Sequence, residues 1–391
     1  MKFTKFLVLC IVFIHSCPHG AQNLLVHIFS QNKIQSIELE VIQGSYQLQS
    51  TIGFLSEINE GQSLSLQVNS SNQIHVAKNG TFVGLYDSLF LFQSSHADYI
   101  RFSPQLFSKK YLKSREYEGD FGFSVLHGDI QVLNSIFIES YLEGVLASEA
   151  GTRCDKEYYK IQAIISRTFA RNNRNKHLDQ GFHLCDAVHC QAYYGNYRGE
   201  LTGINDGVKE TYGLVLVDSN DFSFPTFFSA NCGGQSAETD QIWNKPLSNY
   251  VSHADTFCTH TRQANWEIYI PKTKLLNYLE KNYFFDVSKK KHRDLAFNFI
   301  QNERKTFFIH PSFGIPLRDI RSAFKLRSTY FSCSPVGDKV LLKGRGFGHG
   351  IGLCQEGAME MVKQGFGYKE ILNFYFRGAE LSEWNTPISH W

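Results

Sequence analysis

Apolar positions recur along this chain at two spacings, and the change from one to the other divides it. From Leu24 to Gln105 the period is two. Ser36-Ile37-Glu38-Leu39-Glu40-Val41 and Ser63-Leu64-Ser65-Leu66-Gln67-Val68 alternate, and Leu25-Val26-His27-Ile28-Phe29 is a short, mostly apolar run. Alternation puts the apolar side chains on one face of a pleated strand, so these segments predict a β-rich region. Asn79-Gly80, between Ile74-His75-Val76 and Phe82-Val83, predicts a hairpin because both residues tolerate the left-handed backbone of a two-residue turn. Lys109 to Glu118 is charged and reads as a linker or loop; Phe121 to Leu133 reads as a further hairpin.

At Glu139 the spacing becomes helical. Leu142, Val145 and Leu146 form a stripe that Glu149 continues, and Gly151 supplies a stop. Asp155 can cap a second helix with Tyr158, Ile161, Ile165 and Phe169 on one face. Leu214-Val215-Leu216-Val217 and Pro225-Thr226-Phe227-Phe228 predict paired strands. Lys272 to Lys305 is charged and helical, Ile320 to Tyr330 reads as a strand or a helix-strand unit, and Lys339 to Leu342 as a strand. The fold class is α+β. A β-rich N-terminal region (22–116) precedes a mixed helix/strand catalytic domain in two parts (117–270 and 336–391), separated by an inserted subdomain (271–335).

Composition narrows the partners. The 391 residues carry a net charge of +2, which argues against a nucleic-acid partner. Most of the 33 Phe and 19 Tyr must be core, and exposed members suit stacking on sugar rings. Residues 1–21 read as a secretory signal: Lys2 and Lys5, an apolar run from Phe6 to Ile14, and small residues ending at Ala21. Export with a mature start near Gln22 is the expectation, with a lipid anchor at Cys17 as its competitor. No later stretch is long and apolar enough for a transmembrane helix. Of nine cysteines, removing Cys10 and Cys17 leaves seven in the mature chain, an odd number that leaves at least one outside intrachain disulfides.

Four features carry chemistry. Glu149 is a carboxyl group on a buried stripe; burial disfavours its charged form and suits it to general acid work. His183, Cys185, His189 and Cys190 crowd into eight residues, where zinc and a Cys185–Cys190 disulfide are both open. For zinc the expected ligands are His183, Cys185 and Cys190, since residues two apart share a strand face and a turn at Asp186 to Val188 returns Cys190; a fourth position would stay open. Ser229, Asn231, Cys232, Gly233 and Gly234 form a tight segment followed by Trp243, open both to close backbone approach with sugar stacking and to a plain tight turn beside a core Trp. Cys232 has Cys258 as a disulfide candidate, and Glu238 and Asp240 are candidate helpers or surface residues. The run Gly344-Arg345-Gly346-Phe347-Gly348-His349-Gly350-Ile351-Gly352 lacks both the dinucleotide triple and a Gly-Lys-Ser/Thr phosphate loop, so it binds no nucleotide by either device.

These segments together resemble the stage II sporulation protein D (SpoIID) and amidase enhancer family. Tyr141, Leu142, Gly144, Val145 and Glu149, then Gln162, Ala163, Arg167 and Thr168, stand in its Tyr-Leu-x-Gly-Val-x-x-x-Glu and Gln-Ala-x-x-x-Arg-Thr motifs. Gly348, His349, Gly350, Gln355, Gly357 and Ala358 stand in its Gly-rich C-terminal motif. Ser229 departs from the His that many members carry before the double Gly. The resemblance covers about Tyr117 to Leu381. It implies a peptidoglycan lytic transglycosylase acting on peptide-stripped glycan strands, with Glu149 as acid and base. Expected substrate contacts are Gln162, Arg167, Ser229, Asn231, Gly233, Gly234, Trp243, Gly348, His349, Gly350 and Gln355. No cofactor is required for that chemistry, although some members carry zinc near the active site. The alternative it implies is a non-catalytic amidase enhancer or glycan-binding module acting with a cell-wall amidase. A zinc hydrolase is disfavoured, because no His-Glu-x-x-His helix is present.

Overall fold

The computed structural model describes residues 22–196, 201–220, 222–243 and 245–384. The expected signal segment and Cys17 lie outside them. The fold is α+β, and it forms two compact units that divide between Val215 and Leu216.

The first unit holds the strands β1 (Asn23–Ile28), β2 (Ile34–Gln43), β3 (Ser45–Ser50), β4 (Gly53–Asn59), β5 (Ser63–Val68), β6 (Ile74–Lys78), β7 (Thr81–Tyr86), β8 (Ser88–Gln93), β9 (Tyr99–Leu106), β10 (Arg115–Tyr117), β11 (Asp120–Leu126), β12 (Asp129–Phe137) and β13 (Leu184–Cys185). They build two sheets, β13-β1-β12-β11-β8-β3-β4 and β10-β9-β2-β5-β6-β7. Alternation is realised side chain by side chain: Ile37, Leu39 and Val41 are buried while Glu38 and Glu40 are exposed. Aromatic rings from both sheets meet, with Phe102 of β9 and Phe121 of β11 4.8 Å apart. Asn79 and Gly80 adopt φ of 47° and 78°, as the turn between β6 and β7 requires. The charged stretch near Lys109 is not all linker. Its end forms β10 against β9, and Tyr117 is fully buried.

Helix α1 (Ile138–Ala150) continues directly from β12, and Gly151 at φ 75° ends it with its N–H on Ala147 O. Helix α2 (Lys156–Asn172) starts where the Asp155 side chain accepts from Glu157 N. Helix α3 (Thr202–Glu210) lies against α2 at Gly207, where a Cβ would come within 2.7 Å of Tyr159 Cβ. Strand β13 runs parallel to β1, bringing Cys185 alongside His27.

Beyond β14 (Leu214–Val217), the second unit pairs short β15 (Phe228–Ser229) in parallel with β19 (Leu353–Cys354). The expected pairing of the Pro225–Phe228 segment with Leu214–Val217 is thus replaced by one between residues far apart in the chain. Helix α4 (Thr239–Trp243) follows β15. Strands β16 (Asn265–Pro271), β17 (Phe331–Val336) and β18 (Lys339–Arg345) form the sheet β16-β18-β17. Helices α5 (Lys272–Tyr283), α6 (Lys290–Phe297) and α7 (Leu317–Phe324) join its core, in which Trp266, Leu279, Phe308, Ile320 and Leu342 are buried together. This core reaches beyond the expected bounds 271–335, taking in Trp266 of β16 and Val340 and Leu342 of β18. Helices α8 (Gln355–Lys363) and α9 (Tyr368–Tyr375) and strand β20 (Glu380–Glu383) complete the described chain.

Candidate functional site

Glu149 is half-buried in the last turn of α1. Its Oε1 accepts the backbone N–H of Ala192 at 2.7 Å. Burial raises its pKa, and the hydrogen bond from Ala192 opposes part of that shift. The negative end of the helix dipole acts in the same direction as burial. The donor lies on a loop, 186–194, that is held at Asp186, Gln191 and Tyr194. Buried Asp186 accepts from Phe29 N at 2.8 Å, Ser30 N at 3.0 Å, Ser30 Oγ at 2.6 Å and Arg115 Nη1 at 2.8 Å. Gln191 accepts from Tyr141 Oη at 3.3 Å and donates to Ser166 O at 3.4 Å. Tyr194 N donates to Ser148 Oγ at 3.1 Å, one residue from Glu149. A cavity of about 300 Å³ opens on this loop, lined by residues that include Arg115, His189 and Tyr194.

The same loop contributes His189 and Cys190 to a set of metal-type ligands. His177, Cys185, His189 and Cys190 each offer one ligand atom within 4.8 Å of the others. Cys190 Sγ lies 3.4 Å from His177 Nε2 and 3.8 Å from His189 Nδ1, and Cys185 Sγ lies 3.8 Å from the latter. Both cysteines are free thiols. Hydrogen bonding between them lowers the Cys185 pKa and raises that of Cys190. His183 is not in this group. Its Nδ1 accepts Leu25 N at 2.9 Å, fastening it to the edge of β1. The expected three-ligand set with an open position is therefore corrected to four protein side chains, with His177 and His189 in place of His183. Two thiolates and two imidazoles fit zinc, and four protein ligands make a closed, structural type of site.

Two expected substrate contacts in this unit point inward. Arg167 is fully buried, with Nε and Nη2 on Glu139 at 2.8 and 2.5 Å and Nη1 on Leu214 O at 2.9 Å. Gln162 is fully buried between Tyr158 Oη at 3.1 Å and Ser166 Oγ at 3.3 Å. Arg167 ties α2 to α1 and β14, and Gln162 bonds within α2, so neither is presented to a glycan. Glu143 was not singled out by the sequence. Its pKa is pushed up to about 7, first by burial and then by the charges of Glu118 and Glu139. Only the proximity of three acidic residues, invisible in the linear pattern, reveals it.

The remaining expected contacts gather in the second unit. Ser229 Oγ accepts Gly350 N at 3.2 Å, and a Cβ on Gly348 would lie 2.6 Å from Ser229 Cβ. Asn231 is buried, with Nδ2 donating to Glu356 Oε2 at 2.8 Å and Oδ1 accepting Gly233 N at 2.7 Å, so it braces the turn instead of facing a ligand. Gly233 and Gly234 hold φ of 74° and 95°, and a Cβ on Gly233 would meet Arg345 backbone at 2.7 Å. The half-exposed Trp243 rests against Phe227 and His349, with ring centroids at 4.7 and 5.4 Å. His349 Nδ1 accepts Ile351 N at 3.0 Å. Burial, then Arg321 and Arg304, lower the His349 pKa to about 4 and keep the ring neutral at neutral pH. Gln355 is half-buried, and its Nε2 finds no hydrogen-bond partner.

Residues 126–217 match the family described as Stage II sporulation protein, SpoIID. Over that segment the chain is similar to the SpoIID family. It is 27% identical over 278 residues to an uncharacterized protein of Brachyspira hyodysenteriae, covering 70% of this chain and 74% of that one. It is 27% identical over 272 residues to the stage II sporulation protein D of Bacillus subtilis, covering 65% and 76%. Against the amidase enhancer of Bacillus subtilis it is 24% identical over 296 residues, covering 62% of this chain and 40% of that protein. The SpoIID match spans α1, α2 and the 186–194 loop, and so contains Glu149 and the Cys/His group. Kinship with these proteins associates the chain with remodelling of the cell wall.

Proposed function

We propose that the chain is an exported peptidoglycan lytic transglycosylase that cleaves the MurNAc–GlcNAc linkage of peptide-stripped glycan strands, with Glu149 as the single acid and base. The observation that carries this reading is the state of that carboxyl group: desolvated, raised in pKa, and held through one oxygen by Ala192 N. In the reaction, protonated Glu149 gives its proton to the glycosidic oxygen as the muramyl C1–O bond breaks. The muramyl C6 hydroxyl then attacks C1 and returns its proton to the Glu149 carboxylate. An anhydro ring forms and no water is consumed, so the second carboxylate of a hydrolase is dispensable. Zinc on His177, Cys185, His189 and Cys190 would fix the loop that carries Ala192; it would supply no activated water. The cavity beside Arg115 and Tyr194 offers an aromatic and a cationic wall for a sugar.

Mass spectrometry of products from peptide-stripped strands tests this. Anhydro-muramyl ends are expected from the wild type, and none from Glu149→Gln, which keeps the shape but loses the proton. Reducing ends would overturn the lyase, and full activity in Glu149→Gln would overturn the assignment of the acid. The likeness to an amidase enhancer supports a second reading, a glycan-binding module that works through a cell-wall amidase. Unchanged strands, together with stimulation of an added amidase, would establish that one.

A further inference from the structure

The second unit buries a set of ligand-type side chains that the chemistry of Glu149 does not use. Cys232, Asp255, Cys258 and Cys354 are all buried, and each offers a ligand atom within 4.8 Å of the others. They come from three separate places: the double-Gly turn, the turn after Ala254, and β19 just ahead of α8. We propose that these four side chains hold a structural zinc ion that joins the double-Gly turn to the Gly-rich loop.

The spacing suits a shared ion better than a bond between sulfurs. Thiolates on a tetrahedral zinc at about 2.3 Å stand about 3.8 Å apart. Cys232 and Cys258 Sγ are 3.5 Å apart, against about 2.05 Å in a disulfide. The surroundings are arranged for thiolate. Cys232 N donates to Cys354 Sγ at 3.3 Å, and the N–H groups of Gly233 and Gly234 both reach Cys258 Sγ. Such donors favour a charged sulfur over a thiol. Asp255 is oriented as a ligating carboxylate would be, with Oδ1 accepting Phe257 N at 3.1 Å and Oδ2 accepting Tyr375 Oη at 2.9 Å.

Arg304 supplies the independent argument. It is buried, it makes no ion pair among the described residues, and its Nη1 has no hydrogen-bond partner. Its Nη2 donates to Cys232 O at 2.5 Å, which places the guanidinium beside the cysteines. A buried cation with no anion is strongly disfavoured. Three thiolates and a carboxylate around a divalent ion leave a net negative charge, part of which Arg304 offsets. Soft sulfur ligands select zinc over magnesium or calcium. Each thiol that binds forms a Zn–S bond and releases its proton to water. The expected Cys232–Cys258 disulfide is the direct competitor, since bridged sulfurs are no longer thiolates.

The test uses the mature protein purified without added metal. Zinc is counted per chain in the wild type and in a Cys185→Ser/Cys190→Ser variant that lacks the other Cys/His group. The variant is expected to keep one zinc, and its cobalt-substituted form to show thiolate-to-metal charge transfer that a further Cys354→Ser change weakens. Crystals of the wild type should give an anomalous peak at the zinc edge between Cys232, Asp255, Cys258 and Cys354, whether or not the variants fold. No peak there, or a Cys232–Cys258 peptide in a non-reducing digest, overturns the proposal.

Discussion

At the scale of single residues, three charged groups in the first unit have separable fates. Arg167 is fully buried, and its ion pair is with Glu139. Removing one partner leaves an uncompensated charge, so Arg167→Met should cost about 3–5 kcal/mol in urea denaturation. The Glu139→Gln/Arg167→Met double variant should lose less than the sum of its parts. Glu143 has a folded pKa raised to about 7 from 4.5. Its ionisation therefore opposes folding: the stability it contributes is complete below the unfolded value and is lost as pH rises toward about 7. The loss is on the order of 1–3 kcal/mol, and Glu143→Gln should flatten that part of the stability–pH curve. Glu149 is raised in the same direction by burial. In the proposed mechanism this group starts protonated, so kcat/KM should fall as pH rises through its pKa, and a pH–rate profile rising in that range would contradict the proposed role.

At the scale of elements, the site is a helix end meeting a loop. Gly144 lets them meet: a Cβ there would stand 2.5 Å from the Tyr193 ring and 2.7 Å from Gly195 O. Gly144→Ala should therefore displace the loop whose Ala192 N holds Glu149, without touching the carboxyl group itself. Overpacking of this kind costs about 1–3 kcal/mol. A shift of the loop on the order of 1 Å should lower the rate of anhydro-product release by about 100-fold. Circular dichroism and product analysis on the same sample check both; an unchanged rate in a folded Gly144→Ala protein would show that the loop does not position the acid.

At the scale of the whole molecule, sulfur chemistry is the shared feature of both units. Cys185 and Cys190 sit in one cluster, Cys232, Cys258 and Cys354 in another, and all seven cysteines among the described residues are free. Denatured in chelator, a mature chain beginning near Gln22 should titrate seven thiols. A monomer with none would contradict both the odd count and the free state of these sulfurs.

What the sequence alone determined was local. Strands β2 and β5, the Asn79-Gly80 turn, the Asp155 cap and the place of Glu149 on the stripe of α1 all follow from residues within one or two turns of each other, where backbone period and side-chain chemistry act directly. What only the tertiary structure decided were the meetings between distant segments. The residues two apart on a strand, His183 and Cys185, looked like a ligand pair, but pairing of this edge with β1 engaged His183 with Leu25 N and left the cluster to His177 and His189. The resemblance makes Arg167 a substrate contact, but in the fold α1 sets Glu139 against it. Cys354 is 122 residues from Cys232, and no local period relates them. Periodicity reports which face of an element is apolar; which elements share that face depends on the path of every loop between them, and that path exists only in the folded chain.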